Sequence, residues 1–161
     1  MIRYFIKQKV FSWRDRFTVK DETGRDVYYV EGSVFSWGKK LTVFDMNGND
    51  VLYIEQKLWN WLPTFSLYVQ GQEVAEVKKE LTFLKPRYAI FGPGWNVEGS
   101  VLQHHYQMLE NGAVMAEVEK EWFTWGDSYA LTVRDEEAAL LALGVMIVID
   151  CVIEAESNAG N

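Results

Sequence analysis

Apolar and polar residues alternate with a period of two through most of this chain. Phe17-Thr-Val-Lys20 and Leu41-Thr-Val-Phe44 place Phe17/Val19 and Leu41/Val43 on one face, with Thr18/Lys20 and Thr42/Phe44 on the other. That is the pattern of a half-buried strand. The alternation also repeats at longer range. Ile6, Val30, Ile54, Val77, Trp95 and Val118 are each followed eleven residues later by the start of another alternating run, at Phe17, Leu41, Phe65, Tyr88, Tyr106 and Tyr129. Between them stand the tags Phe11-Ser-Trp13, Phe35-Ser-Trp37, Trp59-Asn-Trp61 and Phe123-Thr-Trp125, with Leu84 and Leu102 at the Trp position of the other two copies. Turns with hairpin glycines follow the runs: Asp21-Glu-Thr-Gly24, Asp45-Met-Asn-Gly48, Gln70-Gly71, Gly92-Pro-Gly94 and Glu110-Asn-Gly112. After each turn a strand such as Val27-Tyr-Tyr-Val30 or Val51-Leu-Tyr-Ile54 returns. Two strands in each of six copies predict about twelve.

The period changes near the C-terminus. Ala138 to Ile149 is an unbroken apolar run, followed after Asp150 by Cys151-Val-Ile153. It is apolar on every side, which predicts a helix over about 135–153 surrounded by other structure. Asp135 is placed to cap it, and Glu136 and Glu137 complement the helix dipole in the first turn. A membrane span needs about 20 predominantly apolar residues. This run stops short at Asp150 and has acids on both sides, so no transmembrane span is expected. A sheet of about twelve strands tends to curl, and closing it removes its edges. A barrel of that strand number has room for a helix of roughly 10 Å diameter. A propeller is the other repeat architecture, but a unit of about 24 residues holds two strands rather than a four-stranded blade. The expected fold is therefore mainly β: a closed antiparallel barrel of about twelve strands around a central hydrophobic C-terminal helix. It forms one domain over 1–156, with a short disordered tail at 157–161.

Composition narrows the setting. The chain has 161 residues, 15% of them aromatic and three of them Pro, enough for one domain with a sizeable core and unlike a disordered segment. A single cysteine, Cys151, excludes a disulfide framework or a Cys-based zinc site within the chain and favours a reduced cytoplasmic home. The N-terminus lacks an apolar h-region and reads as mature sequence. A net charge of −7 argues against nucleic acid as a partner. The charge is uneven, however. Residues 1–20 hold six basic groups and one acid, while 110–161 hold two basic groups and eleven acids. If Ile2, Tyr4 and Ile6 face inward, Arg3, Lys7 and Lys9 point outward, as does Lys20 on the next strand. These four are the candidate residues for an anionic headgroup or an acidic protein surface.

Candidate chemistry is sparse. His104 and His105, adjacent on an expected strand, would point to opposite faces and could not chelate one ion together. Asp45-Met-Asn-Gly-Asn-Asp50 has Gly at the fourth position rather than the sixth of a calcium loop, so it reads as a hairpin turn. No nucleophile elbow, Walker loop or His-Glu-x-x-His motif is present. Glu31, Glu55, Glu76, Glu98, Glu117 and Glu119 recur at outward or strand-end positions of the repeat. Cys151 reads as a packed thiol. The indoles of the tags are expected to seal the barrel ends over the helix; the functional reading beside it is an aromatic rim that enters a membrane interface or grips a ligand. No catalytic residue, metal or cofactor is expected.

The repeated strand pairs, the Asp-x-x-Gly turns at Asp21 to Gly24 and Asp45 to Gly48, and the closing Arg134-Asp-Glu-Glu-Ala-Ala-Leu-Leu-Ala-Leu run resemble the tubby C-terminal-like superfamily. The likeness is to its LURP-one-related branch, which includes small bacterial members of about this length, and it covers essentially the whole chain. The resemblance implies a closed twelve-stranded barrel around a C-terminal helix. Tubby proteins and phospholipid scramblases, its relatives, are associated with phosphoinositides or membrane lipids, and the LURP-one branch is linked to plant defence. Tubby proteins hold the headgroup through basic side chains on the barrel. No position here is matched to those, and the acidic balance of this chain departs from them. The expected function is a non-enzymatic cytoplasmic binding or scaffold module with a protein or small-molecule partner. The alternative is a peripheral membrane protein that binds anionic phospholipid or phosphoinositide through the first hairpin.

Overall fold

In a computed structural model that describes residues 1–7, 16–35, 38–123 and 126–160, the alternating runs form one wall. Its strands are β1 (Ile2–Lys7), β2 (Phe17–Lys20), β3 (Asp26–Phe35), β4 (Gly38–Asp45), β5 (Asp50–Gln56), β6 (Thr64–Val69), β7 (Gln72–Glu80), β8 (Arg87–Phe91), β9 (Trp95–Ser100), β10 (His105–Glu110), β11 (Ala113–Phe123) and β12 (Gly126–Val133). Each pairs antiparallel with its neighbours in sequence. β1 then closes the barrel on β12, in a register running from Ile2 opposite Val133 to Lys7 opposite Ser128. The fold is the closed twelve-stranded barrel that periodicity and resemblance both predict. The inward set is the predicted one: Ile6, Phe17, Val19, Leu41, Val43, Leu52, Ile54, Phe65, Leu67 and Val77 are all buried.

The central helix α1 (Glu136–Ala159) starts where expected. Asp135 is extended and its carboxylate accepts from the Ala138 N–H at 3.0 Å, with Glu136 and Glu137 in the first turn. The helix packs against β5, β6 and β7 on one side and β11 and β12 on the other, so it fills the lumen. At 1.5 Å per residue its 24 residues span about 36 Å. By length and composition it could cross a membrane, but most of its apolar stretch is buried inside the barrel. It runs past the expected end at 153, and residues 157–159, expected as tail, are helical. Ala155 and Glu156 are good helix formers, and the exposed last turns need no core to persist.

Up-and-down topology sorts the connections into two ends. The glycine turns and the start of α1 lie at one; the described connections after β5, β7 and β9 lie at the other, here the rim, where α1 emerges. The first two glycine turns are built alike. Gly24 N–H donates to Asp21 O and Gly48 N–H to Asp45 O, each at 3.0 Å, with both glycines at positive φ. Asp45 Oδ1 accepts from the backbone of Asn47 and Asn49 at 2.9 Å, which makes the faint calcium-loop sequence a side-chain-capped turn. The Thr23 hydroxyl and the Arg25 and Thr23 backbones hold the Asp21 carboxyl down to about 2, and Asn49 holds Asp45 low in the same way. A folded-state pKa below the ordinary 3.8 stabilises the fold above that value, and the gain is lost as pH falls toward 2. The double substitution Asp21→Asn with Asp45→Asn should therefore flatten the thermal unfolding midpoint across this acid window. An unchanged acid slope would show that the turns do not titrate with folding.

Copy five departs from the expected strand. A short 3-10 turn (Val101–Gln103) follows β9, and His104 closes it in a left-handed conformation at φ 51. Gly99 precedes it at φ 118, and a Cβ there would stand 2.7 Å from His105 O and 2.8 Å from the Tyr106 Cα, so the blurred pattern marks a real close approach. His104 is thus not a strand residue as expected, but the two rings do point apart, His104 toward Asp150 in the lumen and His105, at the start of β10, outward.

Candidate functional site

The four predicted cations do not form one patch. Arg3 on β1 bridges to Glu121 on β11 and lies over the Phe5 ring, 5.2 Å from its centroid. Lys20 pairs with Asp26 at the neighbouring start of β3. Lys7 is exposed and has no ion pair among the described residues. Lys9 lies outside them. Lys7 and Lys20 do come together in a cleft of about 170 Å³ with Phe5, Thr18, Ser128 and Arg16, a residue the alternation did not single out. Arg16 stacks over the Tyr29 ring at 3.5 Å and stands 3.9 Å from Glu31. The free positive charge here is thus smaller than the sequence implies.

A larger concavity runs along the outer faces of β5 and β6. Two clefts of about 410 and 510 Å³ share Glu55 and Tyr68. Tyr53 and Tyr68 pair across the ladder with centroids 5.9 Å apart, and Trp59 stands at the rim end of the first cleft. Its cations are all paired: Lys40 meets Glu55 at 3.5 Å, and Lys57 spans Glu73 and Glu76, while Asp50 adds a further acid to the second cleft. Ser66, nearly fully buried, donates to Glu73 at 3.0 Å. The groove therefore offers aromatic faces and an excess of negative charge.

The rim overturns one expectation. Trp59 and Trp61 are 98% and 94% exposed, so these indoles do not seal the lumen. Trp59 has φ 70, a left-handed conformation that a bulky residue seldom adopts. The side chains of the Phe11-Ser-Trp13, Phe35-Ser-Trp37 and Phe123-Thr-Trp125 tags lie outside what the structure describes. In the fourth copy Leu81, Phe83 and Leu84 are likewise exposed.

Inside the rim end of the barrel lies a polar cluster that periodicity missed. Asp150 of α1 is fully buried, with Oδ1 3.3 Å from His104 Nδ1. The pair is close without being well aligned: among the described residues neither carboxylate oxygen nor His104 Nδ1 completes a hydrogen bond. The His104 ring stacks on Tyr129 at 4.2 Å between centroids. Burial pushes the Asp150 carboxyl up against the smaller downward pull of His104. Burial likewise raises Tyr106, whose hydroxyl is also unpartnered, and the negative charge of Asp150 adds to it. Lys39 Nζ donates to Cys151 O at 3.2 Å, and burial pulls its ammonium down while Cys151 and Glu154 pull it up. The Cys151 thiol is fully buried and pushed up by burial, as a packed thiol should be. The signal for this cluster was in the sequence as Asp150, a lone acid in an apolar run that needs a partner once buried. The arrangement brings the helix against the β9–β10 connection. No group of three or more His, Cys, Asp or Glu able to hold a metal stands together among the described residues.

Three comparisons bear on this arrangement. The sequence model of a family described as LURP-one-related matches residues 2–150. The uncharacterized protein YxjI of Bacillus subtilis (strain 168) is 38% identical over 153 residues, which cover 95% of this chain and 94% of YxjI. An Arabidopsis thaliana protein of known X-ray structure superposes with a TM-score of 0.65 over 93% of this chain and 90% of its own, at 19% identity, a likeness of fold alone.

Proposed function

This chain belongs to the LURP-one-related family, and from that premise we propose that it is a non-enzymatic cytoplasmic binding or scaffold module. One observation carries the reading: α1 occupies the lumen and touches opposite walls, so the interior has no room for a ligand and any partner is met on the outer surface or the rim. The His104–Asp150 pair fits the same reading. Its imidazole stacks on Tyr129 and its carboxylate, on the buried side of α1, points at that imidazole, an arrangement that fits a packing role better than the binding of a substrate. The second reading, an anionic phospholipid or phosphoinositide held by the first hairpin, rests on Lys7 at the small cleft, with Arg16 beside it only loosely paired to Glu31, since Arg3 and Lys20 already face acids. The test has two arms. Purified protein screened against phosphate ester, carboxylate ester, peptide and glycoside substrates should turn none over. Photo-crosslinking in living cells from outward positions should capture one partner at comparable stoichiometry. Saturable turnover that is lost on substituting His104 would overturn the module reading.

A further inference from the structure

Two connections at the rim stand side by side, and no described residue covers them. Lys57-Leu-Trp-Asn-Trp-Leu-Pro63 joins β5 to β6, and Leu81-Thr-Phe-Leu-Lys-Pro86 joins β7 to β8. They are neighbours because the Lys79 N–H donates to Pro63 O at 3.0 Å. Their apolar side chains are almost wholly in solvent: Trp59 at 98%, Trp61 at 94%, Phe83 at 107% and Leu84 at 93%. Scattered single apolar residues on a surface need no explanation, but four large ones grouped on adjacent tips do.

The local backbone holds them out. Trp59 keeps its left-handed φ of 70, a strain that persists only where the surroundings impose it. Its neighbour Leu58 turns the other way, with Cδ2 3.0 Å from where a Cβ on Gly38 would stand. In the second loop the Thr82 hydroxyl donates to Lys85 O, and the Lys85 N–H returns to the Thr82 hydroxyl at 3.3 Å. That closed turn leaves Phe83 and Leu84 at its tip.

Charge identifies what the tips meet. Neither segment contains an acid, in a chain of net charge −7. Lys85 and, at the start of β8, Arg87 are exposed, and neither makes an ion pair among the described residues; Glu80 at the end of β7 lies opposite Arg87 in the ladder, which leaves Lys85 as the cation with no acid facing it in register. Lys57 is committed to Glu73 and Glu76, and Glu156, on the emerging helix, is held by Lys79. We propose that this end of the barrel docks on a membrane surface that contains anionic lipid. Trp59, Trp61, Phe83 and Leu84 enter the interface, and Lys85 and Arg87 face the headgroups. A protein partner would need a complementary surface of roughly 800 Å² per side, whereas four side chains on two convex tips fit a partner that flows around them. Indole rings prefer the headgroup level, and each cation near an anionic surface adds about 1 kcal/mol. The proposal rests on the reading of the chain as a binding module and names what that module holds.

The experiment is co-sedimentation of the purified chain with phosphatidylcholine vesicles, with and without phosphatidylglycerol, at low and physiological salt. The wild-type chain should bind the anionic vesicles, and brominated lipid should quench tryptophan fluorescence. Trp59→Ser, Trp61→Ser, Phe83→Ser and Leu84→Ser together should weaken partitioning by at least roughly tenfold and leave the thermal unfolding midpoint unchanged, since these side chains touch no core. Lys85→Glu with Arg87→Glu should remove the preference for anionic vesicles. Three results would overturn the proposal: no sedimentation of the wild-type chain, loss of binding with Lys7→Glu and Arg16→Glu but not with the rim variants, or a wild-type dimer that the four-serine variant makes monomeric. Each leaves the module reading standing, because that reading falls on turnover.

Discussion

Gly144→Leu should cost the fold roughly 3 kcal/mol or more, read as a fall in the urea unfolding midpoint at unchanged slope. Gly144 sits mid-helix, where glycine is about 1 kcal/mol less favourable than alanine, so its presence needs a packing reason. The reason is contact. A Cβ at this position would stand 2.7 Å from Leu52 Cδ2 on β5 and 2.7 Å from Leu67 Cδ2 on β6. Both leucines are 0% exposed, so neither methyl end can swing into solvent. Leucine's better helix propensity returns about 1 kcal/mol, but inserting methylenes into a close-packed core costs about 1–3 kcal/mol for even a modest excess. A whole side chain wedged between the helix and a closed wall exceeds that, because a barrel cannot open one edge to relieve it. Gly144→Ala sets the same two effects against each other at nearly equal size, and should change stability little. Leu67→Ala should partly rescue Gly144→Leu, since the two compete for one volume and their effects will not add. A Gly144→Leu variant as stable as the parent would show that the helix is not gripped at this level.

Much of this architecture was legible because each element satisfies its own local rule. Phe17/Val19 and Leu41/Val43 are inward because a half-buried strand writes its orientation as alternation, and the Asp21 and Asp45 turns spell out their own hydrogen bonds. The all-round apolarity of Ala138 to Ile149 could have only an interior address in a protein of this kind. What stayed hidden depends on partners distant in sequence or on a single residue's handedness. Alternation places Arg3 outward, but nothing in sequence says that the closing of β1 on β12 brings Glu121 of β11 within its reach. His104 and His105 do face opposite ways, His104 toward the lumen and His105 outward, but nothing in sequence says that His104 leaves the strand in a left-handed step or that Asp150 of the helix stands opposite it. The indoles of Trp59 and Trp61 were expected over the helix because burial is the usual fate of a large aromatic ring. Both are instead almost wholly exposed, Trp59 on a left-handed backbone that its sequence does not announce.

Asp150→Asn should raise stability by about 1–3 kcal/mol at pH 8, the scale of a buried acceptor left without its hydrogen bond, and the gain should fade as the solution is acidified. Asp150 is fully buried, and its two oxygens complete no hydrogen bond among the described residues. Burial is the largest influence on the carboxyl and raises its pKa; His104 opposes it without prevailing. A folded-state pKa above the unfolded one means that the folded chain holds the proton more tightly. The stability tied to that proton is complete below the ordinary 3.8 and is lost as pH rises through the raised value. Asparagine has nearly the same shape and no charge to desolvate, so it escapes the loss at high pH and matches the protonated acid at low pH. This slope is opposite in sign to that of Asp21 and Asp45, whose contribution disappears toward pH 2, so the difference between variant and parent isolates the buried group. Urea unfolding of both chains at several pH values gives that difference directly. A variant less stable than its parent at pH 8 would mean that the His104 pair outweighs the burial of the charge; a gain independent of pH would mean that Asp150 binds its proton equally well in the folded and unfolded chains. Either result would show that the carboxylate is not held against its solvation in the fold.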